Sequence, residues 1–216
     1  MADLMKKKSF LRSGEGAIAS YNYEDIASGS GVIVFYALEA STSTNGSNEQ
    51  AKYFLTTERI KSKDYYTQYT IPGGNWCKFC EFSFDSLPFN TKRILNGRCY
   101  FSPLFKIDTN ELSVYATITL IKYSNSTEEI LGSVQSGVIA GGGKYKRPTT
   151  YLDISNVVFK KGDLLRIKFE GYGHYGGGSA SAWFYYDGYG RGLPADIEGN
   201  TETADSIFYI PFKIDV

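Results

Sequence analysis

The segment Asn156-Val-Val-Phe-Lys-Lys-Gly-Asp-Leu-Leu-Arg-Ile-Lys-Phe-Glu170 constrains the fold of this chain more than any other. Gly162-Asp163 punctuates it, and from there Leu165, Ile167 and Phe169 fall on one side of an extended backbone while Arg166, Lys168 and Glu170 fall on the other. A period of two is the mark of a strand with one face in a core and one in water. The same alternation runs through Leu112, Val114, Ala116, Ile118 and Leu120, and again through Phe208, Ile210, Phe212 and Ile214.

About ten such segments follow one another with turn residues between them, the cadence of an all-β fold. Strands are predicted at 53–57, 65–71, 77–84, 98–107, 112–120, 128–135, 149–154, 163–171, 179–187 and 207–214, with Pro72-Gly73-Gly74, Leu87-Pro88 and Asn96-Gly97 as breaks. The expected architecture is an antiparallel β-sandwich of jelly-roll type spanning 29–216, with an extended N-terminal arm over 1–28. Gly31-Val-Ile-Val-Phe-Tyr-Ala-Leu38 is apolar on both faces, so it should be covered on both sides, inside the domain or by a neighbouring subunit. Ser41 to Asn48 reads as a polar surface loop.

A chain of 216 residues fits one such domain, and 18 Tyr and 14 Phe supply the buried area for its core. Tyrosine at this abundance suits either strands or a contact surface. Net charge is zero, so no global field recruits nucleic acid or an anionic membrane. The charge is uneven, however. Lys6, Lys7, Lys8 and Arg12, against Asp3 alone, make the first dozen residues basic, and this start of the arm reads as a tail in solvent or as a strap onto an acidic neighbour. With no apolar run that would span a bilayer and no secretory leader pattern, folding in a cytoplasm is expected.

Chemical motifs are sparse. Cys77-Lys-Phe-Cys80 has the C-x-x-C spacing of zinc and redox sites, with Cys99 and His174 as further conceivable ligands, but on a strand two positions three apart face opposite ways. Three cysteines are an odd number, so reduced, mostly buried thiols are expected. The single histidine lies among glycines and rings without a recognisable nucleophile, and Gly141-Gly-Gly-Lys144 lacks the spacing of a phosphate loop. No enzymatic activity, cofactor or metal is expected.

The stretch from Gly171 to Arg191 carries Tyr172, His174, Tyr175, Trp183, Tyr185, Tyr189 and Arg191 among glycines. Such rings stack on sugar faces or enter a protein partner; equally, Trp183 and Tyr185 pack on one face of a strand. The residues alone leave these open.

The segments Gly16-Ala-Ile-Ala-Ser-Tyr-Asn-Tyr-Glu-Asp-Ile-Ala-Ser-Gly-Ser-Gly31, Ser113-Val-Tyr-Ala-Thr-Ile-Thr-Leu-Ile-Lys-Tyr123 and Phe159-Lys-Lys-Gly-Asp-Leu-Leu-Arg-Ile-Lys-Phe169 together resemble small jelly-roll structural proteins of tailed bacteriophages and related viruses. The resemblance implies a virion component, a capsid decoration protein or a tail or fibre element, assembled in the host cytoplasm. Its partners would be other virion proteins and copies of itself in a threefold arrangement. The other reading is a carbohydrate-binding module or receptor-binding adhesin on a host surface glycan.

Overall fold

The computed structural model describes residues 8–9, 19–21, 30–41, 51–57, 65–141, 144–187 and 206–213. They form sixteen strands: β1 (Lys8–Ser9), β2 (Ala19–Tyr21), β3 (Ser30–Ser41), β4 (Ala51–Thr56), β5 (Tyr65–Pro72), β6 (Cys77–Asp85), β7 (Arg93–Ser102), β8 (Leu104–Ile107), β9 (Leu112–Ser124), β10 (Thr127–Gln135), β11 (Ile139–Ala140), β12 (Lys144–Lys146), β13 (Thr150–Phe159), β14 (Leu164–Tyr175), β15 (Ser179–Asp187) and β16 (Ile207–Lys213). The protein is an all-β sandwich of jelly-roll type, and its strands pair antiparallel except where β4 meets β6.

One long sheet runs β10-β9-β14-β6-β4-β3-β16-β7-β13, and a smaller one runs β12-β8-β15-β5. The long sheet curls until its ends meet, where Gly132 of β10 lies beneath the side chain of Leu152 of β13. Its one weak joint is between β4 and β6, which share the single parallel pair Phe54↔Asp85. Beside that joint lies a cleft of about 660 Å³, lined by Ile33, Phe35, Leu38, Leu55, Phe89 and Arg93 among others.

Alternation assigns the faces. Leu112, Val114, Ala116, Ile118 and Leu120 of β9 and Leu165, Ile167 and Phe169 of β14 are completely buried. Opposite them, β8 and β15 bring Phe105 and Phe184 inward from the smaller sheet, and Phe169 and Phe184 join the two layers. Rings of this size fill an interior with few residues.

The Gly162-Asp163 entry is a tight, fully bonded turn. Gly162 takes φ +94°, a conformation that glycine adopts without strain. Asp163 is buried; its Oδ2 accepts from the Lys160 amide at 2.8 Å and its Oδ1 from the Ser124 hydroxyl at 2.6 Å. Burial raises its carboxyl, yet these two donors and the charges of Lys122 and Lys160 outweigh burial and hold it below the usual range. Beyond the turn, Ser86 lines up with Leu165, donating its amide to the Leu165 carbonyl at 2.8 Å and accepting the Leu165 amide on its hydroxyl at 2.9 Å.

Three expectations are corrected. The predicted strand 98–107 is two strands in different sheets, because buried Pro103 offers no amide to continue the ladder. Asn96-Gly97 is no break but lies within β7, with Gly97 at φ +128° and Asn96 Oδ1 accepting the Asn156 amide at 3.2 Å across an irregularity in β13. Finally, Cys77 and Cys80 do not face opposite ways. A bulge in β6 at Phe79 shifts the register, so Cys80 opposes Gly171 and Cys77 opposes Gly173, both on the inner side.

The apolar strand 31–38 is covered on its inner side by the core, which takes Phe35 and Ala37; on its outer side Tyr36 is buried too, while Val32 stays exposed. Within the arm, β1 pairs with β2, and β2 runs antiparallel on β3 of the same chain. Lys8 belongs to β1; Lys6, Lys7 and Arg12 lie outside the described residues, as does the 42–48 loop.

Candidate functional site

Where β6, β14 and β9 lie side by side, their outward residues form a ladder that passes from charge to aromatic rings. At one end Arg166 holds Asp85 through two hydrogen bonds, Nε to Oδ1 at 2.6 Å and Nη2 to Oδ2 at 2.7 Å. Its remaining nitrogen, Nη1, reaches Glu128, and its guanidinium covers the Tyr123 ring. Next comes a four-member network: Lys168 bridges to Glu81 at 2.9 Å and Glu170 at 3.4 Å, and Lys78 bridges to Glu170 at 3.2 Å and to Glu81. Lys78 and then Lys168 hold the Glu81 carboxyl down at about 2, and the same bonds hold both lysines up.

Past the charges the surface turns aromatic. Tyr172 of β14 and Tyr115 of β9 are directly opposed and stack at 5.0 Å with planes 10° apart. Trp76, which immediately precedes β6, leans against Tyr115 at 4.9 Å and against His174 at 5.5 Å. It remains 42% exposed. Its position is set by the turn that carries it. Gly73 donates its amide to Gly178 O at 2.8 Å and Gly74 to Tyr175 O at 2.9 Å, so the 73–76 turn is clamped to the β14–β15 turn. Only glycine permits the approach, since a Cβ on Gly73 would lie 1.6 Å from Gly177 O.

The aromatic segment read from the sequence therefore divides. Tyr172 and His174 face outward beside Trp76 and Tyr115. Tyr175 packs against the core, with its ring against Gly177. Trp183 and Tyr185 sit on the outer side of the smaller sheet: Tyr185 is buried with Leu104, and Trp183 packs on that pair beneath Lys106, 5.2 Å away. Tyr189 and Arg191 lie outside the described residues.

A second surface has no counterpart in the sequence reading. Tyr151 of β13, Tyr100 of β7 and Tyr209 of β16 oppose one another across adjacent strands and are 50%, 43% and 39% exposed. Arg98 lies 4.1 Å over the Tyr151 ring and pairs with Asp153 at 2.8 Å and 3.1 Å. Val34, opposite Tyr209, continues the row onto β3, and the next outward pair along these strands is Pro211 and Val32. The signal for this surface was only the outward parity of each tyrosine; their adjacency depends on register.

All three thiols are free, with Cys80 and Cys99 buried and Cys77 half-buried. Burial pushes the Cys80 thiol well up, and burial together with the Asp153 charge lifts Cys99 to about 12. Among the described residues no group of three or more His, Cys, Asp or Glu is gathered where it could hold a metal ion.

No family model and no curated protein matches the chain. Solved structures do align with it. An aminopeptidase from a marine-sediment Thaumarchaeota archaeon aligns over 92% of this chain and 39% of its own, at 9% identity and TM-score 0.49. A CocE/NonD family hydrolase from Staphylococcus aureus aligns over 83% and 36%, at 12% identity and TM-score 0.45. A subviral particle of infectious bursal disease virus aligns over 97% and 43%, at 14% identity and TM-score 0.29. The chain thus spans about two fifths of the length of each of these three structures. The expectation of a non-enzyme is corrected by these matches, because hydrolases stand among them beside the virus particle.

Proposed function

We propose that this chain is a structural subunit that packs with copies of itself in a larger particle, using the outer face of β3, β16, β7 and β13. The observation that carries this reading is the row Tyr151-Tyr100-Tyr209, three exposed rings held side by side on a rigid sheet. Tyrosine and arginine are enriched at protein interfaces, where rings contribute area at low entropic cost. The paired Arg98 and Asp153 give the face equal and opposite charges, so one copy offers to another what it accepts in return. A chain of zero net charge adds no long-range repulsion to such contacts. The sequence resemblance to jelly-roll virion proteins supports a virus particle as the assembly.

Sedimentation velocity over a range of protein concentrations tests self-association. Concentration-dependent oligomers should form, and Tyr100→Asp combined with Tyr209→Asp should abolish them without changing the circular dichroism. A monomer at every concentration would overturn the reading. Imaging of intact particles with an antibody to this chain then places it on shell or tail.

A further inference from the structure

We propose that the Trp76 platform on the β6-β14-β9 face is a binding surface for a neutral oligosaccharide. It is separate from the tyrosine row and does not depend on self-association. The indole leans on Tyr115 and His174 while it stays 42% exposed, so these contacts orient it before any ligand arrives. An aromatic face of this kind takes the C–H face of a pyranose. Around it stand groups that match hydroxyls: the His174 imidazole, the phenols of Tyr115 and Tyr172, and Ser113, the cross-strand partner of His174. Phenol and serine hydroxyls both donate and accept, as sugar hydroxyls do.

Charge decides between sugar and the other ligands that stack on rings. Nucleic acids need cations for their phosphates. The two lysines beside this platform, Lys78 and Lys168, are each engaged by both Glu81 and Glu170, so the four groups neutralise one another. A polyanion would have to displace these carboxylates, whereas an uncharged glycan leaves the network intact. The platform lies on a sheet face, which suits a chain laid along the strands.

The test uses the full chain carrying Trp183→Phe, which leaves Trp76 as the single indole of the two in the sequence. The probe is an array of neutral α- and β-linked hexose oligosaccharides, followed by fluorescence titration with those retained. Saturable binding with a shift in Trp76 emission is expected, unchanged between about 0.05 and 0.5 M salt. Trp76→Ala should weaken it at least about tenfold, a loss of about 1.4 kcal/mol. His174→Ala and Tyr172→Ser provide the same comparison should Trp76→Ala fail to fold. A blank array with correctly folded protein overturns the proposal. So does full binding by Trp76→Ala, or a Trp76 response obtained only with a single-stranded oligonucleotide and lost on adding salt.

Discussion

Phe169 and Phe184 lie face to face with ring centroids 4.0 Å apart and planes 9° from parallel, one from each sheet of the sandwich. Both are completely buried, so their contact is where the two layers hold each other. Phe184→Ala is expected to cost about 3–5 kcal/mol through lost transfer energy and the cavity left behind. A double-mutant cycle with Leu at both positions should return a coupling of about 0.5–1.5 kcal/mol. Equilibrium unfolding in urea measures both, and a loss under about 1 kcal/mol for Phe184→Ala would contradict this packing.

Asp163 fixes the turn into β14, and its removal orphans the Ser124 hydroxyl and the Lys160 amide. Asp163→Ala should destabilise the fold by about 1–3 kcal/mol. The effect depends on pH in a definite direction. Because the folded carboxyl is held below its ordinary value of about 3.9, its contribution is complete above that value and is lost as pH falls through the folded one. The stability gap between wild type and Asp163→Asn, from urea midpoints, should therefore be widest near neutrality and shrink in acid.

Gly73 and Gly178 are expected to respond to alanine in opposite ways although both belong to the clamped turns. A Cβ at Gly73 meets backbone, Gly177 O, whereas one at Gly178 meets nothing within 4 Å. Gly73→Ala should force the turns apart, lower the melting temperature and alter the near-ultraviolet dichroism of Trp76. Gly178→Ala should stay within about 0.5 kcal/mol of wild type. Equal effects would mean that the two turns are not clamped.

Native thiol labelling should proceed in order of exposure. Cys77, half-buried, reacts first; Cys80 and Cys99 are buried, and burial suppresses their thiolates. Mass spectrometry of protein treated briefly with a thiol reagent reads the order directly. Early modification of Cys99 would contradict its place opposite Leu152 in the core.

The alternation of Leu112 to Leu120 and of Leu165 to Phe169 was legible because side-chain parity alone separates inside from outside. Parity says nothing about which strands become neighbours. Trp76 and Tyr115 complete the platform with Tyr172 and His174 only because β6 and β9 flank β14. The bulge at Phe79 was invisible for a related reason: one extra residue changes facing without leaving a mark in local composition. Pro103 did carry a signal, since a missing amide argues against a continuous ladder through that point.

The joint between β4 and β6 gives the molecule a line of compliance. Separating the strands there breaks one bridged pair, Phe54↔Asp85, and leaves the long antiparallel ladders on either side untouched. Amides beside the cleft, such as that of Leu55, should therefore exchange with solvent through a partial opening well below the free energy of global unfolding, while those of β9 and β14 wait for the whole domain to come apart. The sandwich would then deform first by parting at a seam, with its aromatic interior serving as the hinge.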